Sequence, residues 1–304
     1  MLLPCYNEET AIAQTVAAFR AALPDAAIYV FDNNSADRTV AVARAAGAIV
    51  RTERMQGKGH VVRRMFADVE ADIYVMADGD ATYDAAAAPA MIARLVEERL
   101  DMMVGARESE VQAAYRRGHR LGNLALTGLL ARLFGRSFTD ILSGYRIFSR
   151  RFVKSFPVLS SGFEIETEIS VHALELRMPV GEQVTAYAAR PEGSESKLST
   201  YRDGWRIFRT IATLYRIERP VLFFGSIGLA LALAAIMLSV PLLFTWFETG
   251  KVPRYPTAIL STGLMTVAFL SFVCGLILDT VVHGRREMRR LAYLSHPAPG
   301  EPAA

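Results

Sequence analysis

Two stretches near the C-terminal end, residues 221–247 and 257–278, run without a single charged side chain. Each exceeds the roughly 20 residues that a helix needs to cross a bilayer, and together they lift the apolar content to 52%, above that of an ordinary soluble domain. A buried core hairpin is the competing reading, but a core seldom needs two such runs side by side. The flanks give an orientation. Residues 202–219 carry five arginines before the first run and the sequence HGRREMRR follows the second, whereas the connection between them offers only Lys251 and Arg254. That bias places both chain ends in the cytoplasm. Acidic Glu8 and Glu9 appear before any apolar run of sufficient length has formed, so no signal peptide is expected and the first two-thirds of the chain stay unexported. Cys5 and Cys274 form no disulfide framework and suit a reducing compartment. The net charge of +3 is too small to suggest nucleic acid. The arginines around 116–120 and 202–219 instead suit anionic headgroups, each contributing about 1 kcal/mol near such a surface.

Ahead of the apolar runs, short strands alternate with helices. Residues 27–31, 49–50 and 73–77 read as strands, and residues 39–46 as a helix closed by Gly47, with Asn7 or Ser35 as side-chain caps. This alternation predicts a mostly parallel sheet covered on both faces. The first strand is short, with only Met1, Leu2 and Leu3 ahead of Pro4, which suggests a trimmed edge or a true start upstream. Residues 115–134 read as an amphipathic helix. Residues 201–220 read as a second one lying in the headgroup region, with Trp205, Ile207, Phe208, Ile211, Leu214 and Tyr215 at helical spacing. The expected division is an α/β domain over 1–200, the juxtamembrane helix 201–220, spanning helices at about 221–247 and 257–280, and a cytoplasmic tail 283–304, disordered after His296. Gly225, Gly228, Gly263 and Gly275 would allow helices of two copies to approach closely, so a homo-oligomer is possible.

The sharpest chemical feature is Asp78-Gly79-Asp80 directly after the strand 73–77. Both carboxylates emerge at the carboxyl end of a parallel strand, the edge where open α/β sheets bind ligands. Two hard oxygen ligands separated by glycine can share a Mg²⁺ or Mn²⁺ that takes its remaining ligands from water and substrate phosphates. Taken alone, such a triplet is more often a turn. A second acidic strand end, Asp32 in DNNSADRT, can accept hydrogen bonds from a nucleoside. An NAD-binding reading fails at the first turn, where PCYNEE replaces G-x-G-x-x-G. Gly57-Lys58-Gly59 before the third helix offers backbone N–H groups and an ammonium to a phosphate or ribose.

PCYNEE, DNNSADRT, QGKG and DGD, in this order and spacing, resemble the family 2 glycosyltransferases of the GT-A fold. GAR at 105–107, RLGN at 120–123, DILSGYR at 140–146, GFEIETE at 162–168 and SESKLSTYRDG at 194–204 resemble the dolichol-phosphate mannosyltransferase branch and its bacterial polyprenyl-phosphate relatives. The resemblance covers residues 1 to about 220 and implies a Rossmann-like GT-A domain. It implies that Pro4, Tyr6, Asn7 and Glu8 line the nucleoside pocket, that Asp32 contacts the base, and that Lys58 and Gly79 lie by the nucleotide. Asp78 and Asp80 would hold the metal, with Thr82 standing where the family often has a Gln or other polar side chain. Arg107, Arg120, Ser143 and Arg190, with Arg117 and Lys197, would gather the acceptor phosphate, for which guanidinium forks are well shaped.

The reaction implied is direct displacement at the anomeric carbon of a nucleotide diphosphate sugar by a polyprenyl phosphate oxygen, with inversion. A phosphate monoester is largely ionised at neutral pH, its second pKa being about 6, so no strong protein base is needed. Asp140 could orient the acceptor or act as a base. A UDP-linked donor is favoured over a GDP-linked one. Two other readings stand beside this one: a processive polysaccharide synthase, which would carry Q-x-x-R-W where this chain has Asp203-Gly204-Trp205-Arg206, and a non-catalytic membrane scaffold that binds a nucleotide sugar without turnover.

Overall fold

The computed structural model describes residues 1–108, 128, 138–162, 164–188, 209, 213, 216, 217 and 219–300. The chain divides into two compact units, one built from residues 1–207 with 288–304 and the other from 208–287.

The first unit is organised by a seven-stranded mixed sheet. Its strands are β1 (Leu2–Cys5), β2 (Tyr29–Asp32), β3 (Ile49–Thr52), β4 (Ile73–Met76), β5 (Met102–Glu108), β6 (Arg146–Ser149) and β7 (Val180–Ala186), in the spatial order β3-β2-β1-β4-β6-β5-β7. β1 pairs in parallel with β2 and β4, β2 with β3, and β5 with β7, while β6 runs antiparallel between β4 and β5. The helices are α1 (Ile12–Ala22), α2 (Thr39–Ala45), α3 (Lys58–Asp68), α4 (Ala88–Glu97), α5 (Arg150–Ser155) and α6 (Ile165–Glu175). Gly47 has φ +83° after α2, the left-handed conformation expected of a glycine closing a helix.

β1 is not an edge. It lies between β2 and β4, and its four residues are all buried. Pro4 is tolerated there for a geometric reason. Leu2 faces β4, its carbonyl accepting from Ala77, whereas the Met1 and Cys5 carbonyls accept from Tyr29 and Asn33 on the β2 side. Pro4, two residues beyond Leu2, therefore directs its N–H-less nitrogen toward β4 at a point where pairing has already stopped, since β1 and β4 share only the Leu2–Met76 register. The sheet opens between β1 and β4 at its carboxyl end.

The core follows from alternation and helix faces. Leu3, Val30, Val75, Met103 and Ile147 pack with Ile12, Val16 and Phe19 of α1 and Met91 and Leu95 of α4. On α6, the buried His172 meets Phe152, Phe156 and the Ser155 hydroxyl, its Nε2 3.1 Å from Ser155 Oγ. Burial, and then the charge of Arg289, push the His172 imidazole down to about 3 from 6.5. A folded value below the unfolded one leaves this contribution intact above pH 6.5 and erodes it as pH falls toward 3. His172→Gln is expected to flatten the fall in unfolding temperature between about pH 6.5 and about pH 4; equal slopes in the two proteins would overturn this.

Residues that follow the second apolar run also belong to this unit. Arg289 pairs with the buried Glu175 at 2.6 Å, and the Tyr293 hydroxyl donates to Asp101 at 2.8 Å. Asp101 is fully buried and also receives Ser149 Oγ and both ends of the Arg151 fork, which stacks on the Tyr293 ring at 4.7 Å. The tail expected from residue 283 is therefore helical as far as Leu294, and the Arg289–Glu175 ion pair and the Tyr293–Asp101 hydrogen bond fix it.

The second unit contains α7 (Pro220–Thr249) and most of α8 (Tyr255–Leu294). Both helices are long and apolar enough to cross a membrane, and only 11% and 17% of their most apolar windows are buried. Met237, Phe247 and Ile259 are each more than 70% exposed, which a soluble core hairpin would not permit. Gly228 packs against the Ala268 carbonyl and Gly275 against Phe224, so the two helices use these glycines on each other, and Gly225 and Gly263 stay open. Most of 201–220 and of 115–134 lies outside the described residues.

Candidate active site

The loops at the carboxyl ends of β1, β2 and β4 are laced together by the residues of the sequence motifs. The Asn7 N–H donates to Ser35 Oγ and its own Oδ1 accepts from Ala36, each at 2.8 Å. The Glu8 N–H donates to Thr39 Oγ1 at 2.8 Å and that of Glu9 to Asp37 at 3.1 Å. Asn7 and Ser35 thus join two loops instead of capping helices, as the sequence suggested. Asn7 takes φ +53° and Asn34 +62°, conformations that short polar side chains tolerate. Asp32 is buried and receives the Ser35 N–H. Pro4 and Glu8 are buried as well, and Tyr6 is 37% exposed.

Asn33, which sequence reasoning passed over, carries the next loop. Its Nδ2 donates to the carbonyls of Glu53 and Met55 at 2.9 and 2.8 Å, and its Oδ1 accepts the Gly57 N–H at 2.7 Å. The Gly57-Lys58-Gly59 turn is thereby fixed. Its glycines are required by close approach, because a Cβ at either position would collide with the Ser160–Ser161 backbone, whose Ser161 carbonyl accepts the Gly59 N–H at 3.1 Å.

From this turn Lys58 reaches Asp78 Oδ1 and Glu166 Oε1, both at 2.5 Å. Burial alone would lower the Lys58 pKa, but the two carboxylates raise it above its ordinary value, so the ammonium is retained. Asp80 is buried and receives the hydroxyl and N–H of Thr82 at 2.6 and 3.3 Å. Thr82 orients Asp80. Beneath them, burial and then the charges of Glu8, Asp78, Asp32 and Asp80 hold the Cys5 thiol well above its usual range. Four carboxylates therefore converge on one end of the sheet. Two aspartates with one residue between them, in a field this negative, fit a hard divalent cation that completes its coordination with water and phosphate oxygens. Among the described residues no group of three or more His, Cys, Asp or Glu side chains is arranged as a self-sufficient metal cage.

The turn 140–145 closes the other side. Gly144 leaves room for Asp78, since a Cβ there would stand 2.7 Å from Asp78 Oδ2, and its N–H donates to the Tyr83 hydroxyl at 2.9 Å. Ser143 is fully buried. Its hydroxyl donates to the Gly105 carbonyl at 2.6 Å and accepts from the Tyr145 N–H at 3.2 Å, which holds the turn against β5. Arg107 meets Asp140 through Nε at 2.7 Å and Nη2 at 2.8 Å, and its guanidinium lies 5.5 Å from the centre of the Tyr187 ring. A carboxylate held by both arms of a guanidinium is an orienting group more than a base. The Thr139 and Asp140 N–H groups are anchored on Glu182. Arg117, Arg120, Arg190 and Lys197 lie outside the described residues.

A cavity of about 540 Å³ opens beside Asp78, between α1 and the turn Ala85–Ala87, lined by Thr15, Ala18, Tyr83, Asp84 and Pro89 among others. None of Pro4, Tyr6, Asn7, Glu8, Asp32 or Lys58 lines it.

A mostly parallel sheet with acidic groups and a lysine gathered at the carboxyl ends of its first strands, and one antiparallel strand inside it, defines a glycosyltransferase of GT-A architecture. The model of "Glycosyl transferase family 2" matches residues 1–156, and the chain belongs to that family. Glycosyltransferase AglJ of Haloferax volcanii is 32% identical over 297 residues, covering 97% of each chain. A dolichyl-phosphate hexose transferase of the same organism is 26% identical over 219 residues, 72% of this chain and 94% of its own. The solved structure of glucosyl-3-phosphoglycerate synthase from Mycobacterium tuberculosis, in complex with Mn²⁺ and UDP-glucose, superposes with a TM-score of 0.54 at 25% identity, covering 70% of this chain and 76% of that one.

Proposed function

We propose that this glycosyltransferase moves a hexose from a nucleotide diphosphate sugar, UDP-linked by preference, to a polyprenyl phosphate at the cytoplasmic face of a membrane. The observation that carries the reading is the placement of Asp78, Asp80 and Lys58 in the opening between β1 and β4, where a diphosphate would meet both a hard-cation site and an ammonium. The name of the dolichyl-phosphate hexose transferase supports the acceptor class, and the two exposed apolar helices support a membrane location.

In this reading an acceptor phosphate oxygen forms the new bond to the anomeric carbon as the bond from that carbon to the diphosphate breaks, with inversion. A Mg²⁺ or Mn²⁺ held by Asp78 and Asp80 would supply charge neutralisation for the leaving diphosphate. Lys58 would lie against the same diphosphate. Arg107, oriented by Asp140, would receive the acceptor phosphate with the arginines of 117, 120 and 190 and with Lys197. Positioning of the two phosphates contributes several kcal/mol, and no side chain needs to remove a proton.

The test incubates membranes carrying the protein with labelled nucleotide sugars, undecaprenyl or dolichyl phosphate, and Mg²⁺ or Mn²⁺. Metal-dependent label in the lipid phase is expected. Label in a water-soluble polymer would favour a processive synthase, and nucleotide-sugar binding without any transfer would favour a scaffold.

A further inference from the structure

Glu166, the second carboxylate on Lys58, has no part in the mechanism above. It stands in the first turn of α6 with its side chain 6% exposed. The rest of its segment braces the same turn. Glu168 accepts the Leu159 and Ser160 N–H groups at 2.8 Å each, and the Ser161 carbonyl accepts from Gly59. Residues 159–162 and 164–168 therefore bracket the Gly57-Lys58-Gly59 turn, and Glu166 is the member of the bracket that reaches its charge.

The charge balance gives the reason. Lys58 is 10% exposed, and its Nζ stands 2.5 Å from both Asp78 Oδ1 and Glu166 Oε1. With Asp78 alone as counter-ion, it would sit on the same oxygens that a divalent cation requires and would repel that cation at short range. With Glu166 present, Lys58 keeps a full negative partner of its own when Asp78 turns to another cation, and no buried charge is left uncompensated. We propose that Glu166 is a positioning residue of the donor site, which holds the Lys58 ammonium so that Asp78 is free to ligate a divalent cation. The inference rests on the assignment of Asp78 and Asp80 as the metal-holding pair.

The experiment measures Mn²⁺ binding to the full-length protein in detergent from the EPR signal of the free ion, without donor or acceptor, and checks each variant by thermal unfolding. Glu166→Gln is expected to weaken binding about tenfold or more, because one adjacent charge shifts an ionic equilibrium by one to three powers of ten. The double variant Lys58→Met/Glu166→Gln removes the competing ammonium as well and is expected to return the affinity to within about twofold of wild type. A merely structural Glu166 would give a double variant as weak as the single one. Equal Mn²⁺ affinity in wild type and Glu166→Gln, or an unrescued double variant, overturns the proposal. Should Glu166→Gln fail to fold, the double variant decides alone. Wild-type protein that binds Mn²⁺ no better than Asp80→Ala removes the metal assignment itself, and the inference with it.

Discussion

Asp80→Ala is expected to lower metal-dependent transfer to the lipid phase by at least about 10³-fold while leaving the unfolding temperature close to that of wild type. The size follows from where the carboxylate sits. Asp80 is buried at the carboxyl end of β4 and oriented by both the hydroxyl and the N–H of Thr82. It is thus fixed before substrate arrives, and a group placed in advance against developing charge contributes more than one that must be ordered during the reaction. Thr82→Val, which removes one of the two hydrogen bonds and leaves the carboxylate, should cost about tenfold. Radiolabel partitioning with saturating donor, repeated across Mg²⁺ and Mn²⁺ concentrations, distinguishes the two variants. An Asp80→Ala protein that transfers at near wild-type rate would remove Asp80 from the site.

Arg146→Met is expected to give the largest loss of stability among single changes near the site, about 3 kcal/mol, or roughly a 6–12 °C drop in unfolding temperature for a domain of this size. Arg146 is fully buried at the start of β6, and among the described residues the oxygens its guanidinium meets are neutral. Its Nε donates to the Ser143 carbonyl at 2.9 Å, Nη1 to Ser170 Oγ at 3.0 Å, and Nη2 to the Ile141 carbonyl. Burial pulls its pKa down to about 10 from 12.5, which leaves it charged at neutral pH. Methionine fills much of the volume but satisfies none of these oxygens, and buried acceptors without donors are costly. The same guanidinium holds the turn that carries Gly144 against Asp78, so transfer should fall along with stability. Arg146→Lys, able to reach one or two of the acceptors, should fall between. Thermal unfolding in detergent checks the series, and an Arg146→Met midpoint within about 1 °C of wild type would refute it.

Much of the scaffold was legible in the chain order of its residues. The three parallel strands read at 27–31, 49–50 and 73–77 appear as β2, β3 and β4 with their ends moved by a few residues. Their apolar runs alternate with helical stretches, and that alternation has one stable layered solution. The first strand was legible only in part. Its shortness suggested a trimmed edge or a true start upstream, whereas the observed register makes Pro4 compatible with a central strand because pairing with β4 ends before it.

For the site, the chemistry of individual residues was legible and their partnerships were not. Asp32, Lys58, Asp78 and Asp80 were recognisable because carboxylates and a lysine beside glycine at strand ends have a local signature. The hydrogen bond from the buried Ser143 hydroxyl to the Gly105 carbonyl joins residues 38 apart and has no local signature. Asn33 left a signal that could have been used, since a second Asx residue after a strand is a ready brace for a neighbouring loop. Glu166 left none.

The sequence by itself determined the class of sheet, the two membrane-length helices and the types of group gathered at the strand ends, because these depend on periodicity and on neighbours within a few residues. Only the tertiary structure decided that Lys58 lies between Asp78 and Glu166, that Asp140 locks Arg107, and that Tyr293 returns to Asp101 across 192 residues of chain. Each of these contacts joins side chains far apart in the chain, and a charge in a half-buried site takes its behaviour from whichever groups the folded backbone brings beside it.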